Sequence, residues 1–189
     1  MCGIAGILRF DGAPTEPGVL ERMTGALAHR GPEASGIQWI ADGRAQVGLG
    51  HARLKIIDLS DAAAQPMAND DGSVWLVFNG EIYNYPELRA ELQRGGARFR
   101  SSSDTEVLLR LYERDGPACV ERLDGMFAFA VWDRRRRQLL LARDRVGKKP
   151  LFYAQGPRFL AFASEIKALL RHPEIPAQVD PEALPALFL

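Results

Sequence analysis

Cys2 is the residue with the most chemistry to offer. Removal of Met1 leaves a thiol and a free α-amine on one residue. An α-amine titrates near pH ~8, so a useful share is neutral at pH 7. One residue then supplies both nucleophile and general base. The thiol, at about 8.5 when unperturbed, still needs help to become thiolate. The plainer reading is a small residue at position 2 by chance. Against it, Cys2 runs straight into the apolar stretch Gly3-Ile4-Ala5-Gly6-Ile7-Leu8. Free chain ends fray unless something ties them down, and Gly3 and Gly6 allow close approach of another backbone.

An acyl-transfer site needs donors for the oxyanion. Asn79-Gly80 follows the apolar run Val74 to Phe78, so the Asn79 amide and the Gly80 N–H can converge on one spot. The same dipeptide also reads as a simple turn. Arg53, in Gly50-His51-Ala52-Arg53-Leu54, offers a fork for a carboxylate. Asp104 and Glu81 can receive an ammonium, and Asp104 also suits a helix N-cap. His29, His51 and His172 form no evident set, and no Cys/His cluster has zinc spacing. Cys119, in Pro117-Ala118-Cys119-Val120, suits a buried apolar position.

These residues need elements to hold them. Gly3 to Phe10 reads as a buried strand. Leu20, Met23 and Leu27 give Val19 to Ala28 a helical face, which His29-Arg30-Gly31-Pro32 breaks. Gly48 to Leu59 suits one or two strands and Val74 to Phe78 another. Pro86 to Gln93 and Thr105 to Arg114 are helices, the second with Asp104 expected at its N-cap. Phe127 to Val131, Leu139 to Ala142, Leu151 to Ala154 and Phe159 to Ala163 read as a four-strand meander. The basic block Arg134 to Arg137 reads as a solvated hairpin turn. Ser164 to Leu170 begins another helix, and Asp180 to Leu187 reads as the start of one more. Strands, then helices, then strands argue for an α+β layered fold of antiparallel sheets. No Gly-x-Gly-x-x-Gly follows a strand, which argues against a dinucleotide site.

Composition narrows the function class. The chain has 189 residues, 47% hydrophobic and 25% charged, enough for one sizeable core. Its 24 basic and 24 acidic side chains cancel, so the basic excess of a dedicated nucleic-acid binder is missing. No apolar run approaches the roughly 20 residues that span a bilayer, and Met1 to Gly6 lacks a basic signal-peptide start. Two cysteines in such a chain read as free thiols in the reducing cytoplasm.

Six ordered stretches then fall together: Met1 to Gly6; His29-Arg30-Gly31-Pro32; Phe78-Asn79-Gly80-Glu81-Ile82-Tyr83-Asn84-Tyr85; Ser103-Asp104-Thr105-Glu106; Arg143 to Leu151; and Ser164 to Leu169. Together they resemble the glutaminase domain of glutamine-hydrolysing asparagine synthetases, a resemblance that covers nearly the whole chain. It implies a class II glutamine amidotransferase with the N-terminal-nucleophile hydrolase fold, two antiparallel β-sheets between helical layers. It implies Cys2 as nucleophile with its own α-amine as base, and Asn79 and Gly80 as oxyanion donors. Arg53 is implied to hold the glutamine α-carboxylate, and Glu81 and Asp104 its α-ammonium. Leu54, Lys55, Ile56 and Ile57 are implied to line the pocket through their backbone, with Arg30-Gly31-Pro32 closing over the substrate.

The resemblance implies no metal or cofactor for this domain. It implies ATP and Mg2+ for a synthetase domain that receives ammonia through a sheltered tunnel. No Ser-Gly-Gly-x-Asp-Ser pyrophosphate loop occurs in the 189 residues. Residues 1–172 are therefore expected to be the amidotransferase domain, and 173–189 a linker and the start of the synthetase part. Glu33 stands where the family usually has aspartate. Expected partners are glutamine and that C-terminal domain, not nucleic acid or membrane; a homodimer stays open. Rival readings are a sugar-phosphate or phosphoribosyl amidotransferase, another amidotransferase with a different acceptor, and an inert glutamine-binding module.

Overall fold

The structure is a computed structural model and describes residues 1–179 and 181. In chain order the elements are β1 (Gly3–Arg9), α1 (Val19–Gly25), β2 (Ala34–Asp42), β3 (Ala45–Arg53), β4 (Met67–Ala68) and β5 (Val74–Ile82). Then come α2 (Tyr85–Arg94), α3 (Asp104–Asp115), β6 (Gly125–Asp133), β7 (Gln138–Arg143), β8 (Phe152–Gln155), β9 (Phe159–Ala163) and α4 (Ile166–Leu169). The strands form two antiparallel sheets, β2-β3-β1-β9-β8 and β4-β5-β6-β7.

Three apolar layers explain the stacking. Val19, Leu20, Met23 and Leu27 of the α1 segment, with Ala168 and Leu169 of α4, pack on Ala5, Ile7, Ala161 and Ala163 of the first sheet. Leu88 and Leu92 of α2 and Val107, Leu108 and Leu111 of α3 cover Phe78, Phe127, Phe129 and Val131 of the second. Between the sheets, Ile4, Val47 and Leu49 face Val77, Ala128, Ala130 and Trp132. The order helix, sheet, sheet, helix is the α+β sandwich expected of an N-terminal-nucleophile fold. β1 lies mid-sheet and buried on both faces, which is why Gly3 to Leu8 carries no polar side chain.

Locally the structure departs from the sequence expectations in some places and agrees in others. β2 is an edge strand that shows no clean alternation, with a mostly half-buried pattern. The Gly48 to Leu59 run ends as strand at Arg53, and Leu54 to Leu59 is loop. The four late strands are two hairpins in different sheets, β6-β7 and β8-β9, not one meander. Ser103, not Asp104, caps α3, its hydroxyl accepting the Glu106 N–H at 3.2 Å. The Arg134 to Arg137 turn is anchored by Arg136, whose Nη1 donates to Asp133 at 2.7 Å. The helix expected over Asp180 to Leu187 lies outside the described residues, Pro181 excepted. Packing continues past residue 172: Glu174 accepts from Arg9 at 2.9 Å, and Ile175 joins the α1 layer. Among the described residues no helix is long and apolar enough to cross a membrane.

Candidate active site

The centre of the first sheet delivers Cys2. β1 pairs with β3 from Gly3↔Ala52 onward and with β9 from Ala5↔Ala163 onward. Past β9, the Ile4 N–H donates to Ser164 Oγ at 3.0 Å and the Ser164 N–H returns a bond to the Ile4 carbonyl at 2.8 Å. The chain end is thus tied on both sides. Arg30 Nε donates to the Cys2 carbonyl at 2.9 Å, and Glu165 braces Arg30 Nη1 at 2.9 Å. Gly31 is required here, since a Cβ would meet the Ala52 carbonyl carbon at 2.4 Å. Residues 30–32 therefore hold Cys2 and the end of β3 from behind. They are not part of the cavity wall, so the expected cover over a substrate is not their position here.

The Cys2 thiol meets the main chain of Leu54. Its sulfur accepts the Leu54 N–H at 3.4 Å and lies 3.5 Å from the Leu54 carbonyl oxygen. Burial pushes the thiol above its ordinary value; the Leu54 bond, the chain-terminal ammonium and Arg53 pull it back, and Asp104 adds a smaller push upward.

The second sheet delivers the donors. Asn79 and Gly80 are not a turn: both lie in β5, in register with Ala128 and Phe127 of β6. Pairing with β6 overrides the local turn preference. β4 covers the other edge of β5 only at Trp75 and Leu76. Along that open edge the Phe78 N–H donates to Gln65 Oε1 at 2.6 Å, and the Ile82 N–H to Asp104 Oδ2 at 3.1 Å. Strand geometry turns the Gly80 N–H, midway between them, the same way, off the β6 ladder, and among the described residues no loop carbonyl accepts it. The Asn79 side chain is buried at 1% exposure with neither amide atom hydrogen-bonded. Buried amides are nearly always satisfied, and an unpaired amide beside a strand-edge N–H is chemically able to bind an oxygen. Gly80 also permits the close contact of β5 and β6: a Cβ there would meet Met126 O at 2.3 Å.

Charged ends frame the cavity. Arg53, buried at the end of β3, spends Nη2 on the carbonyls of Asp58 (2.8 Å) and Ser60 (3.0 Å), folding the 54–60 loop around itself. Its Nε and Nη1 have no partner among the described residues. Glu33 reaches across to accept the Lys55 N–H at 2.6 Å, which fixes the same loop. Asp104 is buried in the first turn of α3, and burial first, then the Glu81 charge, push its carboxyl up to about 6 against its backbone bonds. Among the described residues neither Asp104 nor Glu81 has a cationic partner. Two carboxylates outside any ion pair can take up an ammonium.

One cavity of about 120 Å³ is lined by every residue singled out for the site: Cys2, Arg53, Leu54, Lys55, Ile56, Ile57, Asn79, Gly80, Glu81 and Asp104. Gln65 and Lys149 share its wall without having been singled out; a signal for Lys149 was present in the Arg143 to Leu151 motif. His51, beneath the cavity, sets Nε2 3.2 Å from the Phe78 carbonyl, and burial pushes its pKa down to about 4. It is a neutral donor that fixes the strand carrying Asn79. His29 pairs with Glu165 at 2.9 Å and His172 stacks on Phe159, so neither enters the site. Cys119 is buried far into the α3 layer, its thiol pushed up to about 12 by burial. Among the described residues no group of three or more His, Cys, Asp or Glu is placed to hold a metal ion.

Two predictions follow from this framing. Arg53→Ala is expected to raise KM for glutamine roughly 100-fold while lowering Tm, because the charged bonds to Asp58 and Ser60, worth about 1.5–3 kcal/mol each, go too. An unchanged KM removes Arg53 from the carboxylate role. Asp104 gives a pH dependence. Its native pKa of about 6 lies above that of the unfolded chain, so its protonated form stabilises the free protein at low pH. That contribution is lost as pH rises from about 4 through 6. A bound ammonium favours the ionised form, so affinity for glutamine should rise up to about tenfold per pH unit below 6 and level off above it. Calorimetry on a Cys2→Ala background reads this directly, and a flat Kd from pH 5 to 8 overturns it.

Comparison with known proteins places the chain. The family model of the glutamine amidotransferase domain matches residues 1–189. Asparagine synthetase [glutamine-hydrolyzing] 3 of Bacillus subtilis is 44% identical over all of this chain and 30% of its own length. Amidase chry2 of Gibberella zeae is 39% identical over 90% of this chain and 26% of its own. The chain thus spans about a third or less of these curated relatives. Among solved structures, the glutamine phosphoribosylpyrophosphate amidotransferase of B. subtilis superposes with a TM-score of 0.72 at 25% identity, over 89% of this chain and 43% of that one. The Cys2 thiol tethered at the head of β1, the unpartnered Asn79 amide in the same cavity and the full-length match agree: this chain belongs to the glutamine amidotransferase domain family.

Proposed function

We propose that the chain, once Met1 is removed, hydrolyses the side-chain amide of glutamine to glutamate and ammonia. The glutamine α-carboxylate pairs with the free edge of Arg53 and its α-ammonium with Glu81 and Asp104, so the side-chain amide points to Cys2. The thiolate attacks the amide carbon, and the oxygen takes up negative charge against the Asn79 amide and the Gly80 N–H. The Cys2 α-amine, holding the thiol proton, returns it to the leaving nitrogen. Ammonia departs and a thioester remains. Water, deprotonated by the same amine, then attacks the thioester and releases glutamate and the thiol. The observation that supports this reading is the open edge of β5, where Gly80 and Asn79 offer donors with no partner among the described residues.

Within a longer protein the ammonia would feed a synthetase part that makes asparagine, as the names of the synthetase relatives suggest; the ATP and Mg2+ that the sequence resemblance implies are assigned to that part and to no residue here. Ammonia released into water at neutral pH is mostly protonated and no longer nucleophilic, which favours direct transfer. Residues 1–172, with the packed stretch through Ile175, would be the glutaminase and the segment after them the connection. Two free thiols suit the reducing cytoplasm. Incubation of the processed chain with glutamine tests the reading: glutamate and ammonia should appear one to one, and no asparagine should form from aspartate and ATP. Glutamine binding without ammonia release would instead make the chain an inert binding module.

A further inference from the structure

Lys149 sits in the loop between β7 and β8 and has no part in the scheme above, yet it lines the same cavity as Cys2. It is 4% exposed. Among the described residues its Nζ forms no ion pair; its recorded polar contact is Met1 Sδ at 3.0 Å. A buried ammonium without a carboxylate is costly, and a surface lysine would simply extend into water. The loop prevents that. Asp144 accepts the N–H groups of Lys148 (2.8 Å), Lys149 (2.9 Å) and Phe127 (3.2 Å). Arg143 Nε holds the Lys149 carbonyl at 2.8 Å, and Gly147, at φ +67, turns the chain where a side chain would strike the Arg143 guanidinium. The backbone is pinned on both sides so that the lysine head lies inside, against the one residue the proposed chemistry discards.

Resting on the reading that Cys2 is a terminal nucleophile, we propose that Lys149 is its electrostatic positioning residue: with Met1 gone, the Lys149 ammonium stands beside the new terminus and favours thiolate over thiol and free amine over ammonium. The sign follows from like and opposite charge. A cation nearby stabilises an anion and destabilises a second cation, so both groups lose their protons at lower pH. The groups facing this pair are Arg30 behind Cys2, Glu81 at the end of β5, Asp144 beneath the lysine, and Arg53 and Asp104 across the cavity. Burial and Arg30 loosen the lysine's own proton, while Glu81, Asp144 and Cys2 help to keep it.

The test is the pH dependence of Cys2 alkylation by iodoacetamide, read on the N-terminal peptide of the processed chain without glutamine. Lys149→Gln should move the midpoint of labelling up by about one pH unit, so that labelling below the midpoint slows about tenfold. The acid limb of kcat/KM should move by the same amount, with KM changed less than about twofold, and Lys149→Arg should restore the original midpoint. Should Lys149→Gln not fold, Lys149→Met offers an unbranched side chain for the same space. A folded neutral variant with the unshifted midpoint overturns the proposal even if glutamine is turned over normally. A shifted midpoint in a chain that releases no ammonia instead upholds the proposal and sinks the glutaminase reading.

Discussion

Replacing Cys2 by alanine is expected to leave a folded protein that no longer releases ammonia from glutamine. The fold does not depend on the sulfur: β1 is held by its pairing with β3 and β9 and by Ser164, all of which lie beyond the thiol. What is lost is the weak bond to the Leu54 N–H. Removing a nucleophile typically costs on the order of 10⁴-fold or more in kcat, because what remains is binding and the oxyanion donors acting on water. Glutamine should still bind, since Arg53, Glu81 and Asp104 are untouched. Wild-type enzyme quenched with acid should carry a glutamyl adduct on the N-terminal peptide, and the variant none. Turnover within tenfold of wild type would move the nucleophile elsewhere.

Asn79→Ala should separate activity from stability. Its amide is buried and has no hydrogen-bond partner among the described residues, so it costs desolvation without repayment there. Truncation is therefore expected to hold or raise Tm. The same truncation removes a donor from the developing oxyanion, which typically lowers kcat about 10²–10³-fold, or ~3–4 kcal/mol. KM should move only a few-fold, because a neutral carbonyl needs the donor less than an oxyanion does. Melting curves and steady-state kinetics on one preparation decide it. A fall in Tm with kcat unchanged would make Asn79 a packing residue.

The two cases differ in how far the sequence alone could reach them. Cys2, the strand behind it and the α3 stripe were legible because each follows from local pattern: an apolar run, a 3.6-residue period, a residue type with one obvious chemistry. Asn79-Gly80 was legible as chemistry and wrong as geometry. Asn-Gly favours a turn in isolation, but a full register with β6 holds it extended, and that partner lies 47 residues away in the sequence by the pairing of Gly80 with Phe127. The late strands failed for a related reason. β7 and β8 are both short apolar runs, and nothing local says that the chain changes sheets between them. β2 was missed because a half-buried edge strand alternates weakly. Gln65 and Lys149 were missed because one sits in a loop after a run of alanines and the other in a motif whose glycine and proline draw the eye first.

The placement of β1 bears on how the protein is born. Its neighbour on one side, β3, follows within about fifty residues, but its neighbour on the other, β9, comes only after about 150. At roughly 5–20 residues per second of synthesis, the opening strand waits roughly 10–30 s for that second edge. During this interval the leading methionine rides on a nascent tip that aminopeptidases can reach, before β9 and Ser164 lock the strand. Synthesis order thereby gives the ribosome-associated processing machinery first access, and slowing it should leave a subpopulation that folds with its thiol still blocked.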